Sequence, residues 1–100
     1  QVLIKKQEFV ISKQLLRSST SIGANIAEAL DAFSKKDFAY KMATAKKEAR
    51  ETYYWLLLLK ESSLTNKNLQ EYIDDIQRII RILTSIVKTT TERMNKIHNP

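Results

Sequence analysis

RSSTSIGANIAEA, residues 17–29, lies at the centre of the longest uninterrupted helical pattern in the first third of the chain. It sets Ser, Thr, Gly, Ala and one Asn between two amphipathic segments, in a helical rhythm. Two neighbouring stripes run through it. One is Ile11, Leu15, Ser18, Ile22, Asn25, Ala29, Ala32; the other is Leu16, Ser19, Gly23, Ile26, Leu30, Phe33. Residues three and four apart share a helix face, so both stripes can face packed neighbours. The apolar register is kept across the stretch, which favours one continuous helix over the alternative of a loop at 18–23. Ser18, Ser19, Gly23, Ala27 and Ala29 are small enough to admit another helix at close range. Gly23 in mid-helix costs roughly 1 kcal/mol against Ala, and close packing is the expected compensation. Asn25 falls on a core-facing stripe, where an unsatisfied amide costs about 1–3 kcal/mol. It is expected to bond to Ser21, Arg17 or a polar group of another helix and to act as a register pin. A ligand contact is the alternative.

Outward from this stretch, the totals bound the answer. One hundred residues make a single domain, 1–100. One Gly and one Pro leave almost no turn punctuation for a sheet, so the composition is that of an all-α protein. There is no cysteine, which removes disulfides and thiolate chemistry and agrees with a reducing cytoplasm. The longest apolar run, residues 55–59, is far too short for a bilayer, and no signal-peptide pattern leads the chain. Gln1 is not an initiator Met, so a trimmed form of something longer is expected. Net charge is +6 with a pI near 9.7. A basic balance favours acidic partners, nucleic acid first; an ordinary solvated helical surface is the plain alternative.

Three long helices are expected, at about 8–32, 35–61 and 66–95, each about 40 Å long at 1.5 Å per residue. Before them, QVLI at residues 1–4 reads as the end of a helix or a frayed lead-in. Ser34 is a good N-cap for the second helix, with Asp37 at the positive end of its dipole. Phe38, Met42, Ala45, Ala49, Thr52, Leu56 and Leu59 step four-three through that helix, a coiled-coil-like seam. Tyr54, Leu57 and Leu58 lie off this seam, so two neighbours are required. Tyr53, Tyr54 and Trp55 could stack on bases, although packing is the commoner use. Thr65 is the expected N-cap of the third helix. Its seam is Leu69, Ile73, Ile76, Ile80, Leu83 and Val87, widened by Tyr72, Ile79, Ile82 and Ile86; fraying is expected beyond Lys88. Faces this wide leave apolar surface for a fourth helix or for assembly.

Catalysis finds little support. The one histidine, His98, sits in the tail, no Gly-rich phosphate loop exists, and no Ser/His/Asp set can be built. Glu48 and Glu51, or Asp74 and Asp75, suggest carboxylate metal sites, but the Glu-x-x-His pairs of diiron bundles are missing. Asp74 and Arg78, four apart, read as a surface ion pair. A non-enzyme without cofactor or metal is therefore expected. Lys46, Lys47 and Arg50 cluster on the second helix, and Arg78, Arg81 and Lys88 lie close to one face of the third. Such rows can contact phosphates; scattered Lys and Arg also keep a bundle soluble.

RSSTSIGANIAEA, followed by SKKDF at 34–38 and AKKEARETYYWLLLL at 45–59, resembles the four-helix-bundle family first noted as open reading frames within 23S rRNA intervening sequences. The same family includes the accessory variability proteins of diversity-generating retroelements. The resemblance covers about residues 8–89 and is carried by the S-I-x-A-N-I-A-E core at 21–28. It implies an antiparallel up-and-down four-helix bundle assembling into a homopentameric ring, with the first helix largely upstream of Gln7 and truncated here. Some retroelement members bind nucleic acid and the reverse transcriptase through basic surfaces, so RNA or DNA and a reverse transcriptase are the partners the resemblance implies, while the function of stand-alone members is poorly defined. The family motif falls on Ser21, Ile22, Ala24, Asn25, Ile26, Glu28 and Glu51, with Arg17 at the head of the stretch, as packing and register positions. Leu30 stands where many members have Gly, and a Gly-Ser pair of the family is replaced near Lys47 and Glu48. The functional expectation is a nucleic-acid-binding or ribonucleoprotein accessory module, with a protein–protein scaffold as the alternative.

Overall fold

The computed structural model describes residues 2–62, 64, 65 and 67–98, with side chains described only between 5 and 96. The side chains of the leading QVLI and of His98 therefore lie outside the described residues. Three helices follow in order: α1 Val2–Leu30, α2 Lys35–Glu61 and α3 Gln70–His98. All described secondary structure is helical, so the all-α expectation holds.

The stretch at 17–29 is continuous helix. Ser19 and Thr20 both donate from their hydroxyls to the Leu16 carbonyl, at 3.2 and 2.8 Å. Such back-bonding satisfies short polar side chains without breaking the helix. Ser34 caps α2 by accepting from the Asp37 amide at 3.0 Å. The third helix begins later than expected. Thr65 accepts from the Lys67 amide inside the connection, and Asn68 accepts from the Gln70 amide at 3.0 Å, so Asn68 steers the chain into α3. At its far end α3 runs on to His98. The sequence has no Gly or Pro between 70 and 98 to stop it, and Thr90 bonds back to the Ile86 carbonyl at 2.7 Å.

The packing is a row rather than a square. α2 lies in the middle, antiparallel to both neighbours, while the Cα traces of α1 and α3 do not approach one another. The result is long and thin, 62 × 21 × 17 Å. The α2 seam is buried from Met42 to Leu59, with Ala45 and Ala49 fully enclosed. Leu69, just before α3, and Ile73, Ile76 and Leu83 on it are buried on the side facing α2. On α1 the two stripes separate. Ile11, Ser18, Ile22 and Ala29 are buried, whereas Leu16, Leu30 and Phe33 are exposed. Gly23 faces open space, with nothing within 4 Å of where a Cβ would sit. The close approach expected there is therefore not made within this chain, because only one neighbour packs on α1. Between α1 and α3 runs a groove of about 460 Å³, lined by Ser12, Leu15 and Ser19 on one wall, Leu56 and Leu59 on the floor and Tyr72, Ile76 and Ile79 on the other wall.

Candidate nucleic-acid interface

The α1–α2 contact is where most motif residues meet. Arg17 reaches across to Glu51 and to Glu48, the latter at 3.3 Å, while its Nε donates to Gln14 at 3.1 Å. The Arg17 hydrogen bond is the main reason the Glu51 carboxyl is held below its ordinary value, and the same pairing raises the Arg17 guanidinium. The buried Trp55 indole N–H closes no hydrogen bond among the described residues, yet adds slightly to the lowering of Glu51. Further along, Glu28 pairs with Lys41 at 3.2 Å. Ile22 is buried and Ile26 half-buried.

Asn25 donates to the Ser21 carbonyl at 2.9 Å and lies 3.2 Å from the Ser21 hydroxyl. Both partners are one turn back on α1, so Asn25 meets the expected Ser21 and, among the described residues, bonds within its own helix. The polar link between helices is instead Ser18 with Thr52. Both are buried, and the Thr52 hydroxyl lies 2.8 Å from Ser18 Oγ and 2.9 Å from the Glu48 carbonyl. Its one proton serves one acceptor at a time; Ser18 in turn donates to the Leu15 carbonyl at 3.3 Å. Ser18 and Thr52 both fall on predicted core stripes. Two small hydroxylated residues at apolar seam positions of adjacent helices were the signal for this pair.

Three cations of α2 look the other way. Glu48 and Glu51, interleaved with Lys46, Lys47 and Arg50 in sequence, turn to α1 and are held by Arg17. Lys46, Lys47 and Arg50 form no ion pair among the described residues. They border a hollow of about 330 Å³ that also includes Ala43 and, from α3, Val87.

The register of α3 brings two more cations to the same seam. Lys60 donates to Gln70 at 3.1 Å, and Gln77 donates to the Tyr53 hydroxyl at 3.3 Å. Seven residues back along α2 thus match seven forward along α3. Continued in step, Arg50 falls opposite Ile80 and Arg81, and Lys46 opposite Thr84. Arg81, Thr84 and Lys88 follow Gln77 at helical spacing and share its face; Lys46 and Arg50 likewise share the face of Tyr53. Lys46, Arg50, Arg81 and Lys88 therefore fall along one edge of the α2–α3 contact, with Lys47 on the rim of the same hollow, none of them paired with a carboxylate among the described residues. Arg78 is not in this group. It pairs with Asp75 at 3.3 Å rather than with Asp74, which accepts from Gln70 at 2.8 Å.

Among the described residues no group of three or more His, Cys, Asp or Glu side chains is placed to hold a metal. No helix there is long and apolar enough to cross a membrane.

Three antiparallel helices with one ion-paired seam and one cationic seam define a small basic all-α protein. The chain belongs to the 23S rRNA-intervening sequence protein family, whose model matches residues 1–85. It is similar to the crystal structure of a protein with unknown function from the S23 ribosomal protein family of Bacteroides thetaiotaomicron. That chain is 48% identical, with a TM-score of 0.73 over 86% of this chain and 82% of the other. Among curated proteins there is no match.

Proposed function

We propose that the protein is a non-enzymatic, RNA-related accessory module of the cytoplasm that binds nucleic acid along the α2–α3 edge. The observation that carries this reading is the separation of charge on α2. Its Glu48 and Glu51 are engaged by Arg17, while Lys46, Lys47 and Arg50 stand with Arg81 and Lys88 and form no ion pair among the described residues. Cations placed together repel one another, and a phosphate backbone relieves that repulsion while releasing counterions. Membership in a family described by its 23S rRNA-intervening sequences supports RNA as the first nucleic acid to test.

Homo-oligomerisation belongs to the same proposal. The groove between α1 and α3 suits a further helix, which would complete a four-helix bundle; the pentamer rests on the resemblance. The second reading, a protein–protein scaffold, is favoured by that apolar groove alone.

The test is binding to labelled structured RNA and duplex DNA across a salt series. For the wild type, log Kd is expected to rise steeply with log salt, by about 0.7–0.9 per phosphate contact. Arg50→Ala with Arg81→Ala should flatten that slope by about 1.5 and weaken binding to both probes, whereas Arg78→Ala should do neither. Absence of binding at low salt would sink the nucleic-acid reading and leave the scaffold.

A further inference from the structure

The face of α2 turned away from its buried seam has a composition that the cationic edge does not explain. Tyr40, Ala43, Lys47, Arg50 and Tyr54 step three-four along it, and all five are exposed. The two tyrosines are open, at 67% and 56%. Tyr54 is held edge-on against Trp55, with centroids 5.1 Å apart and an interplanar angle of 69°. Neither the Tyr40 nor the Tyr54 hydroxyl makes a hydrogen bond among the described residues, so no internal polar contact accounts for their positions.

Two rings with two cations and one alanine between them make a poor seat for an apolar helix, which would have to bury Lys47 and Arg50 unpaired. The same order suits a strand whose bases are free. Cations meet phosphates, and bases stack on the rings with little regard to sequence. A duplex offers phosphates but keeps its bases stacked inside, so the rings gain nothing from it. From Tyr40 to Tyr54 the helix rises about 21 Å at 1.5 Å per residue, about six base steps at roughly 3.4 Å each.

We propose that the outer face of α2 is a stacking site for unpaired nucleotides, with Tyr40 and Tyr54 as the two platforms and Lys47 and Arg50 holding the intervening phosphates. This rests on the nucleic-acid reading above and narrows it to single-stranded segments.

The experiment compares fluorescence anisotropy of the protein with an oligouridine of about ten nucleotides, enough to span both rings, and with an RNA duplex of equal length. At fixed low salt the oligouridine is expected to bind more tightly. Tyr40→Ala with Tyr54→Ala should weaken it about fivefold or more for each ring removed and leave duplex binding nearly unchanged, since phosphate contacts do not use the rings. Tyr40→Phe with Tyr54→Phe should retain single-strand binding, since stacking needs only the ring. Circular dichroism checks that the variants remain helical, as expected for exposed positions. Equal losses on both probes, no loss on either, or the same loss with Phe as with Ala would overturn the stacking site while leaving a phosphate-binding edge. If the wild type binds neither probe, the broader reading fails with it.

Discussion

Between α1 and α2, Arg17 clasps two carboxylates, Glu28 meets Lys41, and Ser18 and Thr52 share a buried hydrogen bond. Between α2 and α3, by contrast, the side-chain hydrogen bonds are Lys60 with Gln70 and Gln77 with Tyr53, over an apolar ledge from Leu69 to Leu83. Every ion pair between helices among the described residues lies at the first contact. Charge at the first contact joins helices. Charge at the second faces outward and meets no carboxylate among the described residues. Cations on two edges of one helix thus differ in engagement, Lys41 held by Glu28 while Lys46, Lys47 and Arg50 meet no carboxylate among the described residues.

Three measurements bear on this contrast. The largest effect should come from Leu83→Ala, which removes a nearly enclosed side chain from the apolar ledge. A loss of about 2–5 kcal/mol is expected by chemical denaturation; a loss below about 1 kcal/mol would mean that α3 is not held mainly by this packing. Next is Gly23→Ala on the open face of α1. In the chain alone the added Cβ meets nothing, so helix propensity should raise stability by about 0.5–1 kcal/mol. A loss instead, with a smaller species in sedimentation, would place another helix against Gly23. The smallest effect belongs to Arg17→Gln. Glu51 is held below its ordinary 4.5, chiefly by the Arg17 hydrogen bond, so its contribution is present above that value and lost as pH falls through the lowered one. Melting curves of wild type and variant should differ modestly at pH 7, because the pair is partly exposed to solvent. They should converge in acid. A constant gap across pH would show that Arg17 acts through packing instead of charge.

Much of the fold was legible in the order of residues. The four-three seams of α2 and α3 predicted the buried set there, because a wide apolar face has one low-energy direction to point. Ser34 was readable as a cap because its side chain answers a local need three residues on. The start of α3 was not, since Thr65 and Asn68 offer the same chemistry and only the path of the connection selects between them. On α1 two stripes were equally eligible, and the choice fell to whichever neighbour exists; propensity has no term for that. The candidate interface was half legible. Lys46, Lys47 and Arg50 were visible as a cluster, but Glu48 and Glu51 seemed to neutralise them until Arg17 was found to claim both. Arg78 and Arg81 read alike in sequence, and a single turn of α3 gives one of them an acidic partner.

That the Cα traces of α1 and α3 do not approach one another has a consequence for how the chain reaches this state. Each helix packs only on its neighbour in sequence, so contact order is low and rapid folding is expected on topological grounds. The two hairpins share α2 and nothing else, much as adjacent units do in a repeat array. Cooperativity between the ends of the molecule must therefore pass through the middle helix. A fluctuation that lifts α3 can leave the Arg17 clasp closed, and the protein can open its cationic side while its other half stays folded.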